Sequence, residues 1–289
     1  MSRLALGTVQ FGLSYGIANQ DGQVSRSTAK AMLKLAAVNG VDTLDTAIAY
    51  GESEACLGEI GTDGFKIVTK LAAFPDSCAD VDAWVQEQIA LSLGRLGLAS
   101  LYGLLLHRPE QLLGTKGNEL YHALLGLKDD GLVQKVGVSI YSPNELEEVI
   151  KRFDLDLVQA PFNLVDQRMY NTGWLSRLKD REVEIHTRSA FLQGLLLMPY
   201  EAIPPQFATW SELWKRWHNW LSGNNVSALH ACLSFPLSFP EIDRVVIGAE
   251  SSVQLNQIID ASRRSLPVDL PELHCEDENL VNPSFWSNK

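Results

Sequence analysis

Between Val41 and Gly51 the chain reads VDTLDTAIAYG, a strand that runs out into a loop of small residues. In extended chain Val41, Thr43 and Asp45 point one way and Asp42, Leu44 and Thr46 the other. Ala47 and Ala49 then lead to Tyr50 and a glycine, so a carboxylate at a strand end is followed on the loop by a phenol. Two further strand-like runs close in the same manner: KIVTKL reaches Lys70, and LYGLLLH reaches His107. Three successive strands that each end in a different ionisable residue form the pattern to explain.

Outward from this stretch the same beat continues. Leu4 to Gly7 is a short apolar strand, followed by a glycine-rich segment, residues 8–22, that reads as irregular. Ser25 or Ser27 caps a helix with Met32, Leu33, Ala36 and Ala37 on its apolar face, and Gly40 supplies the left-handed exit. Helices are expected at 52–60, 81–96 and 119–130, the last stopped by Gly131. VQKVGVS is a strand ending at Ser139, and Ser142-Pro143-Asn144-Glu145 is a helix-start signal with a serine cap. LDLVQAPF carries Gln159, residues 175–180 form a short helix, and VEIHTRSA leads into the loop FLQGLL. An insertion at about 198–222 precedes a helix at 226–234; IDRVVIGA is the last strand, and Ser251 or Ser252 opens the last helix.

Strand and helix thus alternate through eight units, which implies parallel strands joined by helical crossovers. The strand runs are apolar on both faces, as buried parallel strands require. Eight units in 289 residues fit a closed (β/α)8 TIM barrel, expected as a single domain over 1–289 with a short C-terminal tail at 270–289. A hydrophobic content of 46% suffices for one large core. A net charge of −11 argues against nucleic-acid or anionic-membrane partners. Cys56, Cys78, Cys232 and Cys275 have no metal-ligand spacing and suit free thiols in a reducing compartment. With no signal-peptide pattern at MSRLALGTVQFGL and no apolar run of about 18 residues, a cytoplasmic protein, monomeric or a weak homo-oligomer, is expected.

In such a barrel the C-terminal strand ends share one rim, where neighbouring strands lie ~4.8 Å apart. Asp45, Lys70 and His107 can therefore meet, with Tyr50 above them. A phenol is a weak acid, and it gives up its proton more readily beside an ammonium. Lys70 can supply that charge, Asp45 can hold the lysine, and His107 can donate a hydrogen bond to a carbonyl oxygen. The set suits protonation of an oxygen that gains negative charge.

Asp45, Tyr50, Lys70 and His107, in the local wording DTAIAYG, TKL and LLLH, resemble the Asp-Tyr-Lys-His tetrad of the aldo-keto reductases. The resemblance extends through LGTVQFG, GVSIYS, NLVDQR and VVIGAESS. It implies a barrel that binds NADPH, with NADH as the alternative, and moves hydride between nicotinamide and a small carbonyl substrate, with Tyr50 as acid or base. Gly7, Thr8, Ser139 and Gln159 are implied to hold the nicotinamide end. Arg188 stands where relatives stack an aromatic ring on that nicotinamide, and Ile140 where they have an asparagine. Phe191, Gln193 and Gly194 are implied at the pyrophosphate. Gly248, Ala249, Ser251, Gln254 and Gln257 are implied at the last helix start, with Gly248 and Gln254 in place of basic residues for a 2′-phosphate. GTVQFGLSYGIAN with RSAFLQGLLL is similar to a bacterial branch associated with sugar metabolism, which implies a sugar-derived carbonyl.

Rival readings are a nicotinamide-binding regulatory subunit with little turnover, and a lyase or isomerase barrel using Lys70 as a Schiff-base nucleophile. Trp210, Trp214 and Trp217 lie on one helix face, where core packing is expected, with one or two rings as candidate pocket walls. His186 and His230 read as packing or surface residues, and no metal site is expected. Phe285 and Trp286 are candidates to fold back onto the rim.

Overall fold

The structure, a computed structural model, describes residues 2–17, 19, 22–264 and 269–286. Its strands are β1 (Leu4–Gly7), β2 (Thr43–Asp45), β3 (Lys66–Leu71), β4 (Leu101–Leu106), β5 (Val133–Ser139), β6 (Leu157–Pro161), β7 (Glu184–Arg188) and β8 (Arg244–Ile247). They pair in parallel, in sequence order, and β8 closes on β1 to complete the barrel. A helical crossover separates each strand from the next, so the chain is a (β/α)8 barrel.

Local chemistry accounts for several element ends. Ser25 accepts a hydrogen bond from the Thr28 N–H and starts Arg26–Val38, with Met32, Leu33 and Ala36 buried against the barrel; Ala37 instead faces solvent. Asp80 caps Val81–Leu96, which Gly97 ends in the left-handed region at φ +67°. The start signal after β5 is used by halves. Glu145 accepts from the N–H groups of Tyr141 (2.8 Å) and Ser142 (2.6 Å), but no side-chain hydroxyl caps Asn144–Arg152. One helical turn, Val9–Gly12, interrupts the segment expected to be irregular. The helix expected at 226–234 spans Ala228–Leu237 and contains Pro236.

Residues 198–222 fold as two 3-10 turns, Tyr200–Ala202 and Pro205–Trp210, leading into the helix Ser211–Asn224. Trp214 and Trp217 are buried there, their indole N–H groups donating to Phe207 O (2.9 Å) and Leu196 O (3.1 Å). Trp286 packs edge-on against Phe207 at 4.8 Å.

Inside the barrel, Val68, Leu105 and Leu157 form a small apolar layer. Beneath it Glu184 accepts from the Tyr102 hydroxyl (2.6 Å) and pairs with Lys135, and His186 Nε2 lies 2.8 Å from Glu184. This polar plug, in which the buried His186 Nδ1 has no hydrogen-bond partner among the described residues, closes the N-terminal end of the barrel and leaves the C-terminal mouth open for chemistry. Among the described residues no helix is long and apolar enough to cross a membrane, and no cluster of His, Cys, Asp or Glu could hold a metal ion.

Candidate active site

The stagger of the strands decides which side chains reach the mouth. Asp45 on β2 pairs with Val68, so Lys70, two residues further along β3, points to the same inner face. Lys70 pairs with Leu105, which puts His107 two residues beyond it on the inner face; Leu105 pairs with Gly137, which does the same for Ser139. Ser139 pairs with Gln159, and Gln159 with His186, two residues short of Arg188. A staircase of inward side chains thus winds around the rim.

Polar contacts join them. The buried Lys70 ammonium donates to Asp45 Oδ1 (2.7 Å) and to Thr46 O (2.9 Å). Gln159 Nε2 donates to Asp45 Oδ2 (2.6 Å), and Ser139 Oγ donates to Gln159 Oε1 (3.3 Å). Both carboxylate oxygens of Asp45 are therefore engaged. Burial works against the lysine charge, but the attraction of Asp45 and its hydrogen bond outweigh it and hold the Lys70 pKa above its ordinary value. Burial, reinforced by the positive charges of Lys70 and Arg188, pushes His107 from 6.5 to about 4, so its imidazole is neutral at neutral pH.

Tyr50 sits on the turn after β2. The Ile48 N–H donates to Lys70 O (3.1 Å), the Tyr50 N–H to Ala47 O (3.0 Å), and the Ser53 N–H to Tyr50 O (3.0 Å). Below the turn, the hydroxyls of Thr8 and Thr46 lie 2.9 and 3.0 Å from that of Ser53, which donates to Thr8 O. Gly12 packs directly on the turn: a Cβ there would lie 1.8 Å from Tyr50 O. The Tyr50 ring lies edge-on to His107, centroids 6.0 Å apart, and Lys70 Nζ is 5.0 Å from the Tyr50 ring centroid.

These residues line a cleft of about 760 Å³ that runs from the mouth to the start of the helix Ser252–Ser262. Gly7, Thr8, Ser139, Gln159, Arg188, Phe191, Gln193, Gly194, Gly248, Ala249, Gln254 and Gln257 also line it. Ser251 does not; its hydroxyl caps the helix by accepting from the Gln254 N–H (3.2 Å). None of the tryptophans lines the cleft, which removes them as pocket walls. Several lining residues escape the sequence reading, among them Gln10, Tyr15 and Tyr141. Tyr141 follows a strand end and so carried the same positional signal as His107. Tyr15 lies in a segment without periodicity, where nothing local places it.

An extended polar cofactor suits this cleft. The buried Gln10 Oε1 has no hydrogen-bond partner among the described residues and faces Gly248, where an added Cβ would lie 2.8 Å from Gln10 Nε2. The loop after β7 carries left-handed φ values at Ser189 (64°), Leu192 (48°), Gln193 (53°) and Gly194 (93°). Strain of this kind persists where a loop is held in one shape for a ligand. Ile140 is buried and offers its carbonyl oxygen to Arg188 Nη2 (2.9 Å).

Comparison with known proteins identifies the family. The Aldo/keto reductase family profile matches residues 3–269. The NADH-specific methylglyoxal reductase of Escherichia coli is 24% identical over 217 residues, 68% of this chain and 65% of that protein. An uncharacterized oxidoreductase of Bacillus subtilis, YqkF, is 24% identical over 208 residues, 68% of this chain and 67% of its own length. The holo form of an aldo-keto reductase from Bacillus halodurans superposes with a TM-score of 0.73 at 19% identity, covering 93% of this chain and 88% of that one. The chain belongs to the aldo/keto reductase family, the NAD(P)H-dependent carbonyl oxidoreductases.

Proposed function

We propose that the protein reduces an aldehyde or ketone to the alcohol, with Tyr50 as general acid. The observation that carries this reading is the buried Lys70–Asp45 pair set against the Tyr50 ring and a neutral His107. The nicotinamide cofactor, when bound, supplies the hydride. His107 donates its single N–H to the carbonyl oxygen and orients it. Tyr50 gives its hydroxyl proton to that oxygen as negative charge develops, and the Lys70 ammonium stabilises the phenolate left behind. Asp45 keeps the lysine charged and stationary, and Gln159 keeps Asp45 in place.

Gly7, Thr8, Ser139 and Gln159 would hold the nicotinamide end, and Gly248, Ala249, Gln254 and Gln257 the other end. At that far end Gln254 is tied to Glu250, accepting from its N–H at 2.8 Å, and among the described residues the cleft lining there contains no lysine or arginine. A 2′-phosphate finds no cationic partner in this lining, so we expect NADH to bind at least as tightly as NADPH. The Schiff-base alternative is disfavoured by Lys70 itself: an ammonium held charged and donating to two oxygens is no nucleophile.

The test is Tyr50→Phe, read by carbonyl reduction and by fluorescence titration with NADH and NADPH. Reduction should fall about 10³-fold with cofactor affinity retained. Comparable turnover in the variant rules out Tyr50 as the acid, and binding without any wild-type turnover favours a regulatory subunit.

A further inference from the structure

Arg188 takes no part in the proton transfer described above, yet its position is closely defined. It ends β7, and its side chain crosses the mouth to the end of β5, where Nη2 donates to Ile140 O (2.9 Å). Nη1 donates to Ser189 Oγ (3.3 Å), and the guanidinium stands over the Tyr141 ring, 4.6 Å from its centroid. Its supports are held in turn. Arg168 Nη2 donates to Tyr141 O (2.9 Å), Glu145 accepts from the Tyr141 N–H (2.8 Å), and Asn163 Nδ2 donates to Ser189 O (3.0 Å). The guanidinium charge is therefore fixed in place where it lines the cleft.

The other charges of the mouth are balanced. Asp45 offsets Lys70, and His107 is neutral. Among the described residues no carboxylate forms an ion pair with the half-buried Arg188. Glu145, close enough to feel its charge, commits its Oε1 to the backbone N–H groups of Tyr141 and Ser142. The field of Arg188 reaches the reaction centre, where it opposes a positive charge on Lys70 and on His107 alike. Any other cation brought to the mouth meets the same opposition.

A dinucleotide laid along the cleft from the start of the helix Ser252–Ser262, with its reactive carbon facing a carbonyl held by His107, has its redox ring at the mouth, beside Ser139, Gln159 and Arg188. Giving up hydride takes that ring from neutral to singly positive, while the carbonyl carbon gains the hydride and its oxygen the Tyr50 proton. A fixed guanidinium tolerates the neutral dihydro ring and repels the pyridinium. We propose that Arg188 makes the cleft discriminate between the two oxidation states of the nicotinamide cofactor, binding the reduced form in preference to the oxidised one. This rests on the reductase reading for the identity of the cofactor and not for turnover. The pyrophosphate and adenosine are common to both forms, so their contacts cancel in the comparison. The protein then loads NADH against an excess of NAD⁺ and releases NAD⁺ readily, while bound NADH is a weaker hydride donor than free NADH.

The experiment measures Kd for NADH and for NAD⁺ by calorimetry, with no carbonyl compound present, on wild type, Arg188→Met and Arg188→Lys. Two like charges roughly 6 Å apart in a partly wet cleft correspond to about 30-fold in Kd. The ratio of Kd for NAD⁺ to Kd for NADH should therefore be about 30-fold larger in wild type than in Arg188→Met. For a two-electron couple that is a rise of about 45 mV in the potential of the bound cofactor. Arg188→Lys keeps the charge and should keep most of the ratio. A second readout is product inhibition of carbonyl reduction by NAD⁺, which should tighten in Arg188→Met. The expected ratios in a protein that reduces no carbonyl uphold the proposal, and only the reductase reading then fails. An Arg188→Met variant that weakens both nucleotides equally overturns the proposal, because the arginine then serves only as a support for the mouth. Failure of wild type to bind either nucleotide overturns the proposal and the cofactor reading together. Should Arg188→Met fail to fold, Arg188→Gln, also uncharged and able to donate to Ile140 O, takes its place.

Discussion

Replacing Gly12 by alanine tests how Tyr50 is positioned without touching a group that does chemistry. The added Cβ would lie 1.8 Å from Tyr50 O, 2.5 Å from Ser53 N and 2.9 Å from Glu52 N, all of them backbone atoms that cannot rotate aside. Ordinary contact begins at 3.4 Å, so the Tyr50 turn must retreat by about 1.6 Å. The ring would then leave its edge contact with His107 and its place beside the Lys70 ammonium. A misplacement of about 1 Å in a catalytic group costs about 10²-fold in rate. We therefore expect kcat/KM for carbonyl reduction to fall by 10² or more, roughly, in Gly12→Ala. Overpacking should also lower stability by about 1–3 kcal/mol, leaving a folded protein at assay temperature. The assay is steady-state reduction alongside NADH titration and thermal unfolding. A folded variant with activity within threefold of wild type would refute the claim that the Gly12 contact sets the Tyr50 turn.

Two further outcomes follow from the electrostatics. Asp45→Asn leaves the Lys70 ammonium buried without its counter-charge, which should cost about 3–5 kcal/mol in urea unfolding at neutral pH; a loss under 1 kcal/mol would show that the pair does not bear on stability. His107 has its folded-state pKa depressed to about 4, so as pH falls the unfolded chain takes up the proton first. Stability from the neutral imidazole is present above pH 6.5 and is lost progressively between about 6.5 and 4, about 3 kcal/mol in all. His107→Gln should flatten that part of the stability–pH curve, and an unchanged curve would remove His107 as its cause.

Much of this architecture is written in local sequence. The beat of strand and helix, the capping residues Ser25 and Asp80 and the glycine exits act over a few residues, so a linear reading recovers the barrel. That ionisable residues stand at the ends of successive strands is equally local, and barrel topology alone brings Asp45, Lys70 and His107 to one rim.

What the chain could not disclose linearly depends on stagger and on contacts between distant segments. Gln159 reaches Asp45 across 114 positions, and Gly12 is tied to the Tyr50 turn only because β1 and β2 are neighbours. Ser251 carries the residue type expected at a phosphate-binding helix start; its hydroxyl accepts from the Gln254 N–H as the helix cap, and the residue lies outside the cleft lining. Arg188 reads as a substitution within a strand end; only the closed barrel turns it across the mouth onto Tyr141 and Ile140. Sequence periodicity thus determined the barrel and the rim positions, because both follow from short-range backbone preferences. The direction, partners and remaining hydrogen-bond capacity of each rim side chain were decided by the tertiary structure, because they depend on which strands closure places side by side.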